Sequence, residues 1–314
     1  MKFLVTGAAG MIGANLALHL ESQGHTVHAL DGFAANHKQN LRNFKGLLHQ
    51  GDVRTFDYDS LGSLDGIFHH AAVTDTAMTD ENLVFSVNVN AFARILDYAK
   101  RSGCPKVIYA SSAATYGKAP VPMREGQPLN PGNVYGLSKV KMEEVALDFA
   151  KRNPEVHAVG LRYFNVYGPL EFHKKSAASM IYQLYRQITT GKPPRVFKWG
   201  EQFRDFIYVK DVILANMKAL VYPGSAIFNV GTGIKTTFNQ VIEVLNSTLD
   251  VEIPTSYIDN PYSFFQEGTQ ADIGLAEKEL GFKPSYLLER GIRDYVDFLL
   301  EMESAYTGAH PSNP

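Results

Sequence analysis

The stretch VTGAAGMIGANLALHL, which begins at Val5, constrains this chain more than any other. Glycines at positions 7, 10 and 13 stand between a short apolar run and a segment of helical period. The first permits a tight turn, the second lets the backbone approach a pyrophosphate, and the third lets helix pack closely on strand. The anion then faces a helix N-terminus, where unpaired N–H groups and the dipole favour negative charge. Glycines alone also mark an ordinary turn, so the context has to decide. Asp31 closes the next apolar run, 18 residues beyond Gly13, where a carboxylate suits the two hydroxyls of an adenosine ribose. Gly32 rather than an arginine follows it, which favours NAD. Lys38 and Arg42 remain within reach of a 2′-phosphate, so NADP stays open. Asp52, in GDV, is a candidate for the adenine amino group or, as readily, for capping a strand-ending turn.

The pattern around this loop predicts an α/β fold. Strands are expected at 3–5, 26–30, 46–50, 66–70, 106–111 and 157–163, with helices over Ile12–Gln23, Leu83–Arg101 and Tyr135–Lys151. Gly24 and Gly103 stand just past two of those helices, as left-handed caps. Such alternation specifies a Rossmann-type, doubly wound parallel sheet. One further strand, IFNVGTG at 227–233, returns to it. The dinucleotide domain then comprises 1–168 plus about 206–233. A smaller, partly discontinuous α/β substrate domain takes about 169–205 plus 234–306, and 307–314 is expected to be a disordered tail.

Composition excludes several functions. A formal charge of −2 gives no general attraction to nucleic acid or anionic membrane. Cys104 is the single cysteine, which rules out an internal disulfide and fits a reducing, cytoplasmic setting. No apolar run is long enough for a membrane span. His69 and His70 are neighbours on a strand and face opposite sides, so they are poor co-ligands, and no metal site is expected. Val140, Met142, Val145, Leu147 and Phe149 spread beyond one core-facing stripe of their helix, which suggests a homo-oligomer.

The chemistry lies in NVYGLSK. Tyr135 and Lys139 are four apart, so on a helix they share a face. A free phenol titrates near ~10, too high for a base at neutral pH. A neighbouring ammonium and an oxidised nicotinamide ring both favour the phenolate. The lysine can also hold the nicotinamide ribose. YASSAATYG places Ser111 and Ser112 at the end of a strand, at the sheet edge where ligands bind in open α/β folds. Either hydroxyl could orient an alcohol substrate.

With TGAAGMIG, FHHAA, NVNA, YASSAATYG, YGLSK, LRYFNVYGP, RDFIYVKDV and FNVGTG in this order, the sequence resembles the extended short-chain dehydrogenase/reductase family across about residues 1–300. Specifically, it resembles the NAD-dependent nucleotide-sugar epimerase branch. The resemblance implies Ser112, Tyr135 and Lys139 as catalytic residues. It implies Met11, Ile12, Val53, His70, Ala71, Ala72 and Asn88 as cofactor-lining residues beside the glycines. It further implies that Arg204 and Asn165 hold the nucleotide sugar. Dehydratases of this family carry an Asp-Glu pair where Ala113 and Ala114 stand, which argues against elimination. RYFNVYGPLEFHKKSAAS and FFQEGTQADIGLAEKELGF are most similar to the ADP-L-glycero-D-manno-heptose 6-epimerase group. In that group the lysine of the HK step, here Lys174, is a second acid/base and substrate contact. A solvated loop lysine is the plain alternative. Phe172 and Lys175 stand where that group is expected to carry glycine. A UDP-hexose 4-epimerase of the glucose/galactose type is the second reading, and a non-catalytic NAD-binding scaffold is a remote third.

Overall fold

The computed structural model of the protein describes residues 1–33, 37–260 and 268–308. Seven parallel strands form its central sheet, in the order β11-β6-β5-β4-β1-β2-β3. They are β1 (Lys2–Thr6), β2 (Thr26–Asp31), β3 (Leu47–Gln50), β4 (Gly66–His69), β5 (Lys106–Ser112), β6 (His157–Tyr163) and β11 (Ala226–Val230). β1 sits between β2 and β4, with Phe3 opposite Val27 on one side and Gly66 on the other. Strands buried on both faces need continuous apolar sequence, and KFLVT and GIFH supply it. Helices α1 (Met11–Ser22) and α6 (Val209–Val221) cover one face, with Leu16, Leu20, Val212 and Ala215 in a core shared with Phe3, Val5 and Phe68. Helices α3 (Ala91–Ser102) and α4 (Val134–Arg152) cover the other, where Phe92, Ile95 and Met142 meet Leu4, Ile67 and Val107.

The helix expected at 83–101 is interrupted. A short helix α2 (Glu81–Phe85) passes through a π-helical turn, Ser86–Asn90, before α3 begins. The wide turn swings the buried Asn88 side chain towards Val73 and Ser138. A third core, with Tyr167, Leu184, Val196, Phe206, Val241 and Tyr295, joins α5 (Met180–Thr189), α7 (Phe238–Leu249) and α8 (Leu288–Gly308). Short pairs complete that lobe. They are β7 (Asn165–Tyr167) with β10 (Phe206–Tyr208), β8 (Arg195–Phe197) with β13 (Ser256–Ile258), and β9 (Phe203–Arg204) with β12 (Thr236–Thr237).

Two sequence expectations bear on these helices. Of the five apolar residues on α4, Met142 and Phe149 are buried within the chain, Val140 and Val145 are half-buried, and Leu147 is exposed. Met142, Phe149 and Val145 pack into the sheet-face core, while Val140 and Leu147 keep part of the stripe uncovered by the single chain. Thr307 and Gly308 end α8 rather than opening a tail, and the rest of the expected tail, 309–314, lies outside the described residues. Among the described residues no helix is long and apolar enough to cross a membrane.

Candidate active site

Because all seven strands are parallel, the segments after β1, β2, β4, β5 and β6 emerge at one edge of the sheet. Gly7 opens the loop after β1 at φ +65°, and a Cβ there would lie 2.6 Å from the Ala71 nitrogen. At Gly13 a Cβ would collide with the Gly7 carbonyl oxygen. Both positions therefore exclude a side chain, and the loop stays flat against the start of α1. The N-cap of α1 is Gly10, with no side-chain cap, so the first-turn N–H groups face the cleft unscreened. Asp31 accepts from Ala9 N at 3.0 Å and from Phe33 N at 2.7 Å, which fixes its carboxylate beside the loop. This cradle fits a dinucleotide: Gly7, Gly10, Met11, Ile12 and Gly13 would take the pyrophosphate and Asp31 the ribose.

The outer cofactor candidates sit differently. Lys38 is exposed, 5.8 Å from the centre of the Phe33 ring, and Arg42 donates to Met302 Sδ at 3.2 Å. Asp52 is gripped by the Arg54 backbone and guanidinium, which pulls its pKa below the usual range. It caps the turn after β3, the alternative allowed for it, and Val53 beside it is buried. Asn88 uses its amide on the Val73 backbone and Ser138 Oγ, so it braces the loop holding Ala71 and Ala72 rather than presenting a free amide. His70 stacks on Tyr163 with centroids 6.1 Å apart, and burial, reinforced by the Lys139 charge, lowers its pKa to about 3. It is a neutral ring at the cleft, while His69 turns the other way to Thr6 Oγ1 at 2.7 Å.

The two serines of β5 also part. Ser111 is buried and donates to Glu143 at 2.5 Å, whereas Ser112 is half-buried, accepts from Ala114 N at 3.1 Å and hydrogen-bonds Tyr135. Asn133 caps α4 through Gly136 N, which sets Tyr135 in the first turn, facing Ser112. Lys139 is 1% exposed, donates to Ala110 O at 2.8 Å, and lies 5.7 Å from the Tyr135 ring centre. Burial lowers its pKa to about 7, against an upward pull from Glu143. The Tyr135 phenol moves opposite to the sequence expectation: burial raises its pKa, and the Ser112 hydrogen bond opposes that only in part. In the protein alone, the ammonium points at a carbonyl and is not the phenol's partner.

Of the substrate candidates, Asn165 begins β7 and Arg204 ends β9. Asn165 accepts from Thr269 Oγ1 at 3.0 Å. Arg204 donates to Phe203 O at 2.8 Å, lies 5.9 Å from the Phe238 ring centre, and is lowered by burial to about 10. Lys174, in the turn Phe172–Ala177, is half-buried with Nζ 3.6 Å from Met11 Sδ, at the mouth of the cradle. Burial lowers its pKa, opposed by Glu171.

Sequence reasoning missed four buried supports. Glu171 accepts from Gly168 N, Ser179 N and Ser179 Oγ. Asp205 accepts from Thr232, Gly233 and Ala271. Glu143 pairs with Arg162 at 2.6 Å, both side chains 4% exposed. Asn40 is described below. Only Glu143 left a signal, four residues beyond Lys139 on the same helix face. Among the described residues no cluster of His, Cys, Asp or Glu could hold a metal ion.

A family model described as the NAD dependent epimerase/dehydratase family matches residues 3–231. Among solved structures, ADP-L-glycero-D-manno-heptose-6-epimerase of Helicobacter pylori is 40% identical, with a TM-score of 0.89, covering 95% of this chain and 96% of that one. UDP-glucose 4-epimerase of Thermotoga maritima, solved with UDP-glucose, is 27% identical, with a TM-score of 0.88 and coverage of 96% and 100%. UDP-glucuronic acid 4-epimerase of Bacillus cereus, in complex with UDP-glucuronic acid and NAD, is 25% identical, with a TM-score of 0.84 and coverage of 96% and 100%.

Proposed function

Since the chain belongs to the NAD-dependent epimerase/dehydratase family, we propose that it epimerises a nucleotide sugar on tightly held NAD, with ADP-glycero-manno-heptose, inverted at carbon 6, as its substrate. The observation that carries this reading is the convergence of Ser112, the Tyr135–Lys139 pair and Lys174 on a cradle shaped for a dinucleotide. Identity of 40% over nearly the whole of the heptose epimerase supports the choice of sugar.

Bound NAD supplies an acceptor and donor of hydride that ends each cycle as it began. Tyr135 takes the hydroxyl proton of the sugar carbon being oxidised, and the Ser112 hydroxyl holds that oxygen as charge develops on it. Lys139 stabilises the phenolate once its ammonium turns from Ala110 O towards the site. Lys174, with a pKa lowered by burial, handles the proton when the ketone is presented by its opposite face. Arg204 and Asn165 anchor the nucleotide while the sugar turns, Arg204 through charge-assisted hydrogen bonds to the diphosphate.

The test is an NMR screen for stereochemical inversion with ADP-heptose, UDP-glucose and UDP-galactose. Inversion of ADP-heptose without accumulation of NADH is expected. Turnover of the UDP-hexoses alone would replace the sugar assignment, and stoichiometric NADH release would reject epimerisation. Tyr135→Phe should lower turnover by roughly 10²–10⁴-fold while NAD binding persists; a near-normal rate would remove Tyr135 from the chemistry.

A further inference from the structure

The segment carrying Lys174 is tied to the glycine-rich loop by side chains that the proposed chemistry does not use. Asn40, 2% exposed, has its Nδ2 within reach of three acceptors: Ala9 O at 2.9 Å, Leu170 O at 3.1 Å and His173 Nδ1 at 3.0 Å. An amide carries two such hydrogens, so one bond is shared, and the balance depends on how the Ala9 carbonyl is turned. Its Oδ1 is buried without a partner, so the side-chain bonds of this amide all run through Nδ2 to those three acceptors. A second asparagine works as a fixed pivot, with Asn15 Nδ2 donating to Met11 O at 2.8 Å and Pro169 O at 3.0 Å. At the far end Glu171 locks the segment to Gly168 and to Ser179, the cap of α5. Between these anchors, Leu170 and Lys175 hold φ of +71° and +52°. Non-glycine residues keep such conformations only where the surroundings impose them.

We propose that Asn40 is a positioning residue that couples occupation of the glycine-rich loop to the placement of Lys174. Phosphates at the start of α1 orient the peptide planes of the loop, and the Ala9 carbonyl belongs to one of those planes. Asn40 carries its position to Leu170 and His173, next in sequence to Lys174. These bonds are already made in the protein alone, and the bound dinucleotide, by fixing the loop, holds the second acid/base group more firmly in place. This rests on the NAD-binding reading given above.

Amide hydrogen exchange of the full chain with and without NAD separates the two. In the native protein NAD should slow exchange both at residues 10–14 and at 171–179. In Asn40→Leu the protection at 10–14 should remain and that at 171–179 should be lost. Equal protection of 171–179 in native protein and variant would overturn the coupling, as would protection of the loop alone in the native protein. Absence of any protection by NAD would defeat the dinucleotide reading and this inference with it. Should Asn40→Leu fail to fold, His173→Leu removes the partner on the Lys174 side, leaves the Ala9 contact in place, and is expected to give the same loss. In a turnover assay, the double variant Asn40→Leu/Lys174→Met should be no slower than Lys174→Met alone, whereas multiplied losses would show Asn40 acting elsewhere.

Discussion

Lys139 and Lys175 show at residue scale what the sequence could and could not disclose. The spacing of Tyr135 and Lys139 was legible because a helix turns that interval into adjacency. The electrostatics were not, because they depend on what buries the pair. Lys139 titrates near 7 in the folded chain and near ~10.4 unfolded. Between these values the unfolded chain binds a proton that the native one lacks, so this group makes stability rise with pH across that window. Lys139→Met abolishes that contribution. The stability advantage of the variant over the native protein should therefore be largest near about pH 6 and shrink towards about pH 9 in denaturant titrations. A constant difference would mean that the ammonium stays charged throughout. Lys175 stands where the resemblance led one to expect glycine, and its backbone at φ +52°, ψ −119° explains that expectation. Relief of a strain of ~1–3 kcal/mol, less the greater chain entropy of glycine, should make Lys175→Gly more stable by about 1 kcal/mol. An unchanged melting temperature would place the strain elsewhere.

At the scale of elements, legibility followed length and partner distance. The six strands and three helices read from the first half correspond to β1–β6, α1, α2–α3 and α4, because strands buried on both faces and amphipathic helices write their period into the sequence. Pairs such as β9–β12 are two residues long and join segments that are remote in sequence, so they leave no local period. Asn88 marks the π-helical turn by a side-chain bond to Ser138 that no periodicity encodes. The position of α4 likewise depends on something polar. Glu143 accepts from Arg162 Nε at 2.8 Å and Nη2 at 2.6 Å, joining α4 to β6, and Ser111 of β5 adds a third donor. Arg162 also donates to Tyr116. Glu143→Gln leaves a buried guanidinium without its counter-charge and should cost about 3–5 kcal/mol of stability. The double change Glu143→Leu/Arg162→Met should recover most of it, since a well-packed apolar pair avoids the desolvation penalty. If the double variant is as unstable as the single one, the pair itself, and not the orphaned charge, is what fixes α4.

For the whole molecule the question is what makes the sheet and the lobe of α5, α7 and α8 one unit, since the candidate site residues come from both. Asp205 is the single residue between β9 and β10 and is fully buried. Its carboxylate accepts from Thr232 N and Oγ1, both at 2.7 Å, from Gly233 N at 2.9 Å and from Ala271 N at 3.0 Å. Thr232 and Gly233 follow β11, the last strand of the sheet, and Ala271 belongs to the chain that pairs with Met123. Three segments thus meet on one anion, next to Arg204 and Asn165, which the proposed function gives to the diphosphate. The sequence offers RDF only as a motif, and nothing in its spacing says that the aspartate is fully buried while the arginine beside it stays partly exposed. Asp205→Ala strands four donors in a dry interior, each costing ~1 kcal/mol or more. At roughly 2–4 °C per kcal/mol for a large domain, calorimetry should record a fall of about 8–16 °C in melting temperature. A fall under about 2 °C would mean that the two parts are held by their apolar contacts alone. Affinity for the nucleotide sugar should weaken more than affinity for NAD, because the lost anchor sets the wall of Arg204 and Asn165 and not the glycine cradle.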